Sequence, residues 1–206
     1  MPFFDRSIDI VIATHPDTDH IGGLPDVLKR FDVGLYIEPG AKSESGTYKY
    51  LQDLISEKEV KHLIVDSPKS IHTSDGVTIE ILFPTRDVVN MDTNLASIIL
   101  EVQFGKSEFL FMGDSPKAIE TYLLKRDAQL LDSDVLKVGH HGSKTSSDIK
   151  FISVVSPKYS IISAGENNRY GHPHEEVIES LNGSTILETK NGSITFYSNG
   201  ESIWQK

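Results

Sequence analysis

Six of the eight histidines fall in three glycine-flanked loops, His15/His20, His140/His141 and His172/His174, and each loop follows a short β-branched run. In an α/β fold the ends of strands present functional groups, because a rigid sheet fixes loops whose side chains need not pack. Three such loops drawn from distant parts of the chain require a sheet whose strand ends meet.

The rest of the pattern supplies that sheet. Ile8-Asp9-Ile10-Val11-Ile12-Ala13 is nearly continuous in apolar residues and is closed by Pro16, which predicts a buried strand. Beyond Gly22 and Gly23, the stretch from Leu24 to Phe31 opens with Pro25 and repeats apolar residues at helical spacing. Val33 to Ile37 predicts a strand, Tyr48 to Ser56 a helix with Leu51, Leu54 and Ile55 on one face, and Val60 to Val65 a further strand. Asp75-Gly76 marks a turn before a strand from Val77 to Leu82. Ser97 to Phe104 and Glu108 to Met112, joined at Gly105-Lys106, form the clearest hairpin, whose second strand delivers Gly113-Asp114. Ser115-Pro116 is expected to cap a helix with Ile119, Leu123 and Leu124 inward. Val135 to Val138 and Tyr159 to Ile162 run into the two later His loops, and short strands around Thr185 to Leu187 and Ser193 to Tyr197 close the chain. No repeat, linker or charge block divides this alternation, so a single α/β domain over residues 1–206 is expected.

Composition narrows function more than fold. The absence of cysteine excludes disulfides, Cys-ligated zinc, iron–sulfur clusters and a thiol nucleophile. No apolar run approaches the ~18 residues of a membrane helix. Met1-Pro2-Phe3-Phe4-Asp5-Arg6 carries an acid where a signal peptide would be basic, so neither an anchor nor a leader is expected in this chain. A formal charge of -10 repels polyanions at long range and argues against general coating of DNA, unless a local basic patch or bound cations override it.

The chemistry concentrates in the loops. His15-Pro16-Asp17-Thr18-Asp19-His20 sets two imidazoles beside two carboxylates, a donor mixture that suits zinc, manganese or iron and is rich enough for two ions sharing a site. Asp114, at a strand end, gains weight from this company, since a carboxylate can bridge two ions. In Gly139-His140-His141-Gly142-Ser143 the glycines let the backbone approach an ion, and His140, nearer the strand end, is the stronger ligand candidate. His172 has three open roles: metal ligand, acid, or a group that orients a scissile phosphate. His174 is expected to cap the helix it opens, and His62 and His72, without acidic or His neighbours at ligand spacing, are read as ordinary residues.

Five motifs in order carry a resemblance. These are His15 to Gly23, Asn94-Leu95-Ala96-Ser97, Phe111-Met112-Gly113-Asp114, Leu136 to Ser143, and Asn167-Asn168-Arg169-Tyr170-Gly171-His172-Pro173. Together they resemble the metallo-β-lactamase-fold domain of the ComEC family of DNA-internalisation competence proteins. The resemblance implies an αββα sandwich, incomplete at the amino end because such domains begin with further strands, and a site along one edge of two sheets. It implies His15, Asp17, Asp19, His20, Asp114 and His140 as ligands of two divalent ions, zinc or manganese. Asp17 and Asn94 stand where much of the superfamily has histidine, which shifts the site toward oxygen donors.

The implied activity is hydrolysis of a phosphodiester, with single-stranded DNA as substrate and a metal-activated water as nucleophile. Asp19 would orient that water and His172 would protonate the leaving oxygen, with Asn94, His141, Ser143 and Asn168 on the substrate side. Lys137, Lys144, Lys150, Lys158 and Arg169 would supply local attraction if they converge. A membrane-associated or extracytoplasmic parent with a channel component elsewhere is implied as well. The competing readings are a metallo-hydrolase of a small phosphoester, ester or lactone, and a metal-poor, non-catalytic remnant.

Overall fold

The computed structural model describes residues 4–206; the first half of the Met1 to Arg6 stretch, read above as no leader, lies outside the described residues. The chain first alternates β1 (Ser7–Ile12), α1 (Thr18–Ile21), α2 (Leu24–Arg30), β2 (Asp32–Glu38), α3 (Gly46–Glu57) and β3 (Lys61–Ile64). Helical crossovers return each strand in the same direction, and the result is a parallel sheet of order β1-β2-β3.

A seven-stranded sheet follows, in the order β10-β9-β8-β7-β6-β5-β4. Its first half, β4 (Lys69–His72), β5 (Val77–Phe83), β6 (Ile99–Phe104) and β7 (Ser107–Phe111), is antiparallel. From β7 onward helices intervene, and β8 (Val135–Lys137), β9 (Tyr159–Ile162) and β10 (Thr185–Glu188) run parallel to it. The connecting helices are α4 (Lys117–Arg126), α5 (Ile149–Val155) and α6 (Glu175–Ser180), and a hairpin of β11 (Phe196–Ser198) and β12 (Ile203–Gln205) ends the chain.

Strand periodicity sorts side chains into three apolar layers. Tyr36 of β2 packs with Leu51, Leu54 and Ile55 of α3. Its neighbours Leu35 and Ile37 face the other way, joining Ile79, Ile81, Leu100 and Val102 between the two sheets. Leu82, Ile99, Leu110 and Leu136 on the far face of the large sheet meet Ile119, Leu123, Phe151 and Val177 of its helices. The expected αββα sandwich is therefore present, and no helix among the described residues is long and apolar enough to cross a membrane.

Three local expectations change. The apolar run of β1 is only partly buried, because β1 is an outer strand of its sheet. Pro116 occupies the N-cap of α4 without a side-chain cap bond, while the Ser115 hydroxyl is buried without a partner. Strands β4 and β12 escape the sequence pattern because each is short and offers too few alternations to read.

Candidate metal centre

Because β7 to β10 are parallel, the loops that follow them emerge at one edge of the large sheet. They deliver Asp114, the His140-His141 turn, Ser163 to His172, and Thr189-Lys190. The loop after β1 reaches the same edge, where Ile98 N–H donates to Thr14 O at 2.7 Å and ties the two sheets together. Gly113, at φ +53, permits this approach, since a Cβ there would lie 2.9 Å from Ser97 Cβ and 3.2 Å from Thr14 Cβ. Asp114 N–H then donates to Ser97 Oγ at 3.1 Å and the carboxylate turns inward.

Four imidazoles surround that carboxylate. The Nε2 atoms of His15, His20, His140 and His141 lie 3.8, 3.2, 3.7 and 3.4 Å from its oxygens. His141 Nε2 is also 3.3 Å from Asp19 Oδ2 and 3.1 Å from His20 Nε2, and Asp17 Oδ2 is 3.7 Å from His15 Nε2. Two groups have ligand atoms all within 4.8 Å of one another, His15 with His20 and Asp114, and Asp19 with His20 and His141.

The outward ring nitrogens explain why Nε2 faces the centre. His141 Nδ1 is 2.7 Å from the carbonyl oxygen of Ser163, which can only accept, so Nδ1 carries a proton and, in the neutral ring, Nε2 is the nitrogen with the free lone pair. Thr145 donates its hydroxyl to Ser143 Oγ at 3.0 Å and accepts from His140 Nδ1 at 3.0 Å, with the same consequence. His140 and His141 adopt φ of +46° and +55°, a left-handed pair that costs about 1–3 kcal/mol each. The turn is held by His140 N–H donating to Gly113 O at 3.0 Å and Ser143 N–H to His140 O at 2.8 Å.

Electrostatics favour cation binding. Burial pushes His15 down to about 4, helped by the neighbouring His20, so its ring is neutral at pH 7. Burial by itself raises the Asp114 carboxyl, but the facing His141 and His20 rings more than reverse this and hold it well below the usual carboxylate range. Contact with Asp114 raises His141. His15 Nε2, Asp114 Oδ1 and Asn94 Oδ1 are all buried without a hydrogen-bond partner. Although His20 Nε2 is close to Asp114 Oδ1, the two do not align as donor and acceptor. Orphaned buried lone pairs are costly, and a nitrogen and two oxygens of this kind fit a divalent cation.

A cleft of about 240 Å³ gathers Asp17, Asp19, Asn94, Asp114, His140, His141, Tyr170 and His172. His141, expected on the substrate side, thus stands at ligand spacing beside Asp19 and His20, and His140 stands near Asp114. Two other expected substrate contacts are turned elsewhere. Ser143 is buried with its hydroxyl oxygen taken up by Thr145. Asn168 directs its amide hydrogens to Gly165 O and His172 O and accepts from His172 N–H, which organises its own loop. His174 is the N-cap residue of α6, but its ring makes no cap bond and instead accepts from Lys144 N–H at 3.3 Å.

The basic residues converge only in part, with Arg169 over the ring of Tyr170, which lines the cleft. Lys158 precedes β9, at the end of the strand opposite the centre, and Lys150 lies exposed in the first turn of α5. Lys137 is partly buried, lowered by burial against the opposing charge of Asp114, and donates to Val138 O. Sequence reasoning missed Thr14, whose hydroxyl lies 3.1 Å from His15 Nδ1 and 3.4 Å from His20 Nδ1; its position at the strand end was the available signal. It also missed Ser163, which acts through its carbonyl and leaves no trace in side-chain type.

Comparison with known proteins agrees with this geometry. Residues 3–166 match the family described as the Metallo-beta-lactamase superfamily. The chain is 36% identical over 199 residues to ComE operon protein 3 of Bacillus subtilis (strain 168), covering 93% of this chain and 25% of that protein. It is 33% identical over 172 residues to Competence protein ComA of Neisseria gonorrhoeae, covering 84% of this chain and 22% of the relative. The chain thus spans about a quarter of the length of these relatives, which are ComEC-family competence proteins. Among solved structures, Igni18, a metallo hydrolase from Ignicoccus hospitalis, shares the fold at a TM-score of 0.53 and 15% identity, over 92% of this chain and 79% of that one. CmlA, a diiron beta-hydroxylase from Streptomyces venezuelae, does so at 0.55 and 13%, over 90% and 44%.

Proposed function

This chain belongs to the metallo-β-lactamase superfamily, and on that premise we propose that it is a metal-dependent phosphodiesterase cleaving single-stranded DNA, within a membrane-associated parent that takes DNA up. The observation that most supports this reading is the convergence of four imidazole Nε2 atoms on the one buried carboxylate of Asp114. His15, His20 and Asp114 would hold one cation, and Asp19 and His141, which also approach His20, a second; Asp17, His140 and Asn94 Oδ1 complete the donor set.

Divalent ions, zinc or manganese, would supply Lewis acidity toward a phosphoryl oxygen and acidify the attacking water. The chain's own groups do the rest. The Asp19 carboxylate, 64% exposed, reaches the cleft and orients the water. His172 lines the same cleft and protonates the leaving oxygen, and burial together with the nearby His174, His140 and His141 rings lowers its pKa, making it the stronger acid when protonated.

The test is cleavage by metal-depleted protein to which Mn²⁺ or Zn²⁺ is returned, on single-stranded and duplex oligonucleotides and on p-nitrophenyl esters. Metal-dependent cutting of the single strand, lost in Asp114→Ala, is expected. Esterase activity without DNA cleavage would move the substrate to small esters, and failure to retain any metal would remove both catalytic readings.

A further inference from the structure

Resting on the phosphodiesterase reading, we propose that the cleft beside the centre is a subsite for one unpaired nucleotide flanking the cleaved linkage, its base against Tyr170 and its outer phosphate at Lys190. This cleft, of about 440 Å³, is within the range that encloses a single small ligand. It shares Asp19, His141, Tyr170 and His172 with the centre, so a chain leaving the scissile phosphate passes directly into it. Its far wall is Thr189-Lys190, brought there because β10 is parallel to β9 and ends at the same edge.

The lining has the chemistry of a nucleotide rather than of a small ester. Tyr170 is 60% exposed, and its ring lies nearly parallel to that of His172, at 5.6 Å between centroids and 23° between planes. The Arg169 guanidinium sits 4.8 Å from the Tyr170 ring centre and donates to its hydroxyl, which sets positive charge at the rim. At the other end Lys190 Nζ is held by Glu188 at 2.7 Å. An aromatic platform with cations at its margins serves a base and its phosphates, whereas a lone ester or lactone has no group for the second cation. The floor is bare: a Cβ at Gly165 would meet nothing within 4 Å. Asn168 pins this loop from within, so the platform is rigid before any ligand arrives.

The test compares wild type with Tyr170→Ala, Lys190→Ala and Gly165→Leu, which fills the floor without touching a ligand residue, and with Tyr50→Ala on α3 as a control. The Mn²⁺-loaded proteins are assayed on a short fluorescein-labelled oligothymidylate and on bis(p-nitrophenyl) phosphate, which has no flanking nucleotide. The ratio of kcat/KM for the oligonucleotide to that for the small diester is expected to fall at least about tenfold in Tyr170→Ala and Gly165→Leu, and several-fold in Lys190→Ala with a weaker salt dependence. A ratio unchanged from wild type in these variants, or one that falls equally in Tyr50→Ala, overturns the subsite. Should wild type cleave neither substrate, anisotropy of the same oligonucleotide decides: tenfold weaker binding in the cleft variants keeps the subsite and removes the nuclease, and equal or absent binding overturns the subsite too.

Discussion

Replacing Glu120 by Gln removes a buried carboxyl from beneath the loop that follows the double-His turn. Glu120, on α4, is 1% exposed and accepts from Ser147 N–H at 2.6 Å and Asp148 N–H at 2.8 Å. Burial pushes its pKa from 4.5 up to about 7, despite the opposing pull of those two donors. Between these values the folded chain keeps a proton that the unfolded chain has released, so stability falls as pH rises through this window. At about 1.36 kcal/mol per pH unit, the interval from 4.5 to about 7 amounts to roughly 3 kcal/mol. Gln does not titrate and can accept only one of the two N–H groups, which costs about 1–3 kcal/mol at every pH. Urea unfolding of the metal-depleted protein at pH 5 and pH 8 should therefore show Glu120→Gln less stable than wild type at pH 5, with the difference shifting about 2.5 kcal/mol in the variant's favour at pH 8, since part of the window lies below pH 5. A difference between the two proteins that is the same at both pH values would refute the reasoning.

Asp114→Ala should weaken Zn²⁺ binding by more than about a hundredfold in calorimetric titration, while its circular dichroism stays native. Metal should also stabilise the fold: at a free concentration of about a hundred times Kd, linkage adds about 2.7 kcal/mol, a rise of roughly 5–10 °C in Tm over the chelator-treated protein in a calorimetric scan. An unchanged Tm would mean that the centre does not hold the ion in the folded state. Phe151→Ala, at a residue 1% exposed in the layer between the large sheet and its helices, should cost about 3–5 kcal/mol by urea unfolding; a loss under about 1 kcal/mol would show that this layer is not packed as described.

Much of the molecule was legible because its determinants are local. Period-2 alternation on β2, β5 and β6 separates the layer between the sheets from the layers under the helices, and the hairpin at Gly105-Lys106 follows from its turn. The ligand candidates His15, Asp17, Asp19, His20 and Asp114 were legible for the same reason, since they fall in the loops and the short helix α1 that follow strands β1 and β7. His62 was not. It reads as ordinary in sequence, yet register across β2 and β3 brings its Nε2 to 2.9 Å from Glu38 Oε1, a carboxylate 3% exposed that also accepts from Tyr36 and Gln52.

From residue order alone came the alternation of strands and helices and the histidine-bearing loops, because strand and helix periodicity and strand ends are written in near neighbours; the αββα layering came from the family resemblance. Ring orientation is not. Which nitrogens of His140 and His141 look inward depends on a left-handed turn anchored to Gly113 and on the carbonyl of Ser163. Whether Ser143 and Asn168 face substrate depends on the hydroxyl and carbonyl groups that reach them first. That Lys190 joins the cleft while Lys158 lies at the opposite end follows from the parallel pairing of β9 and β10, a contact between segments that no local pattern encodes.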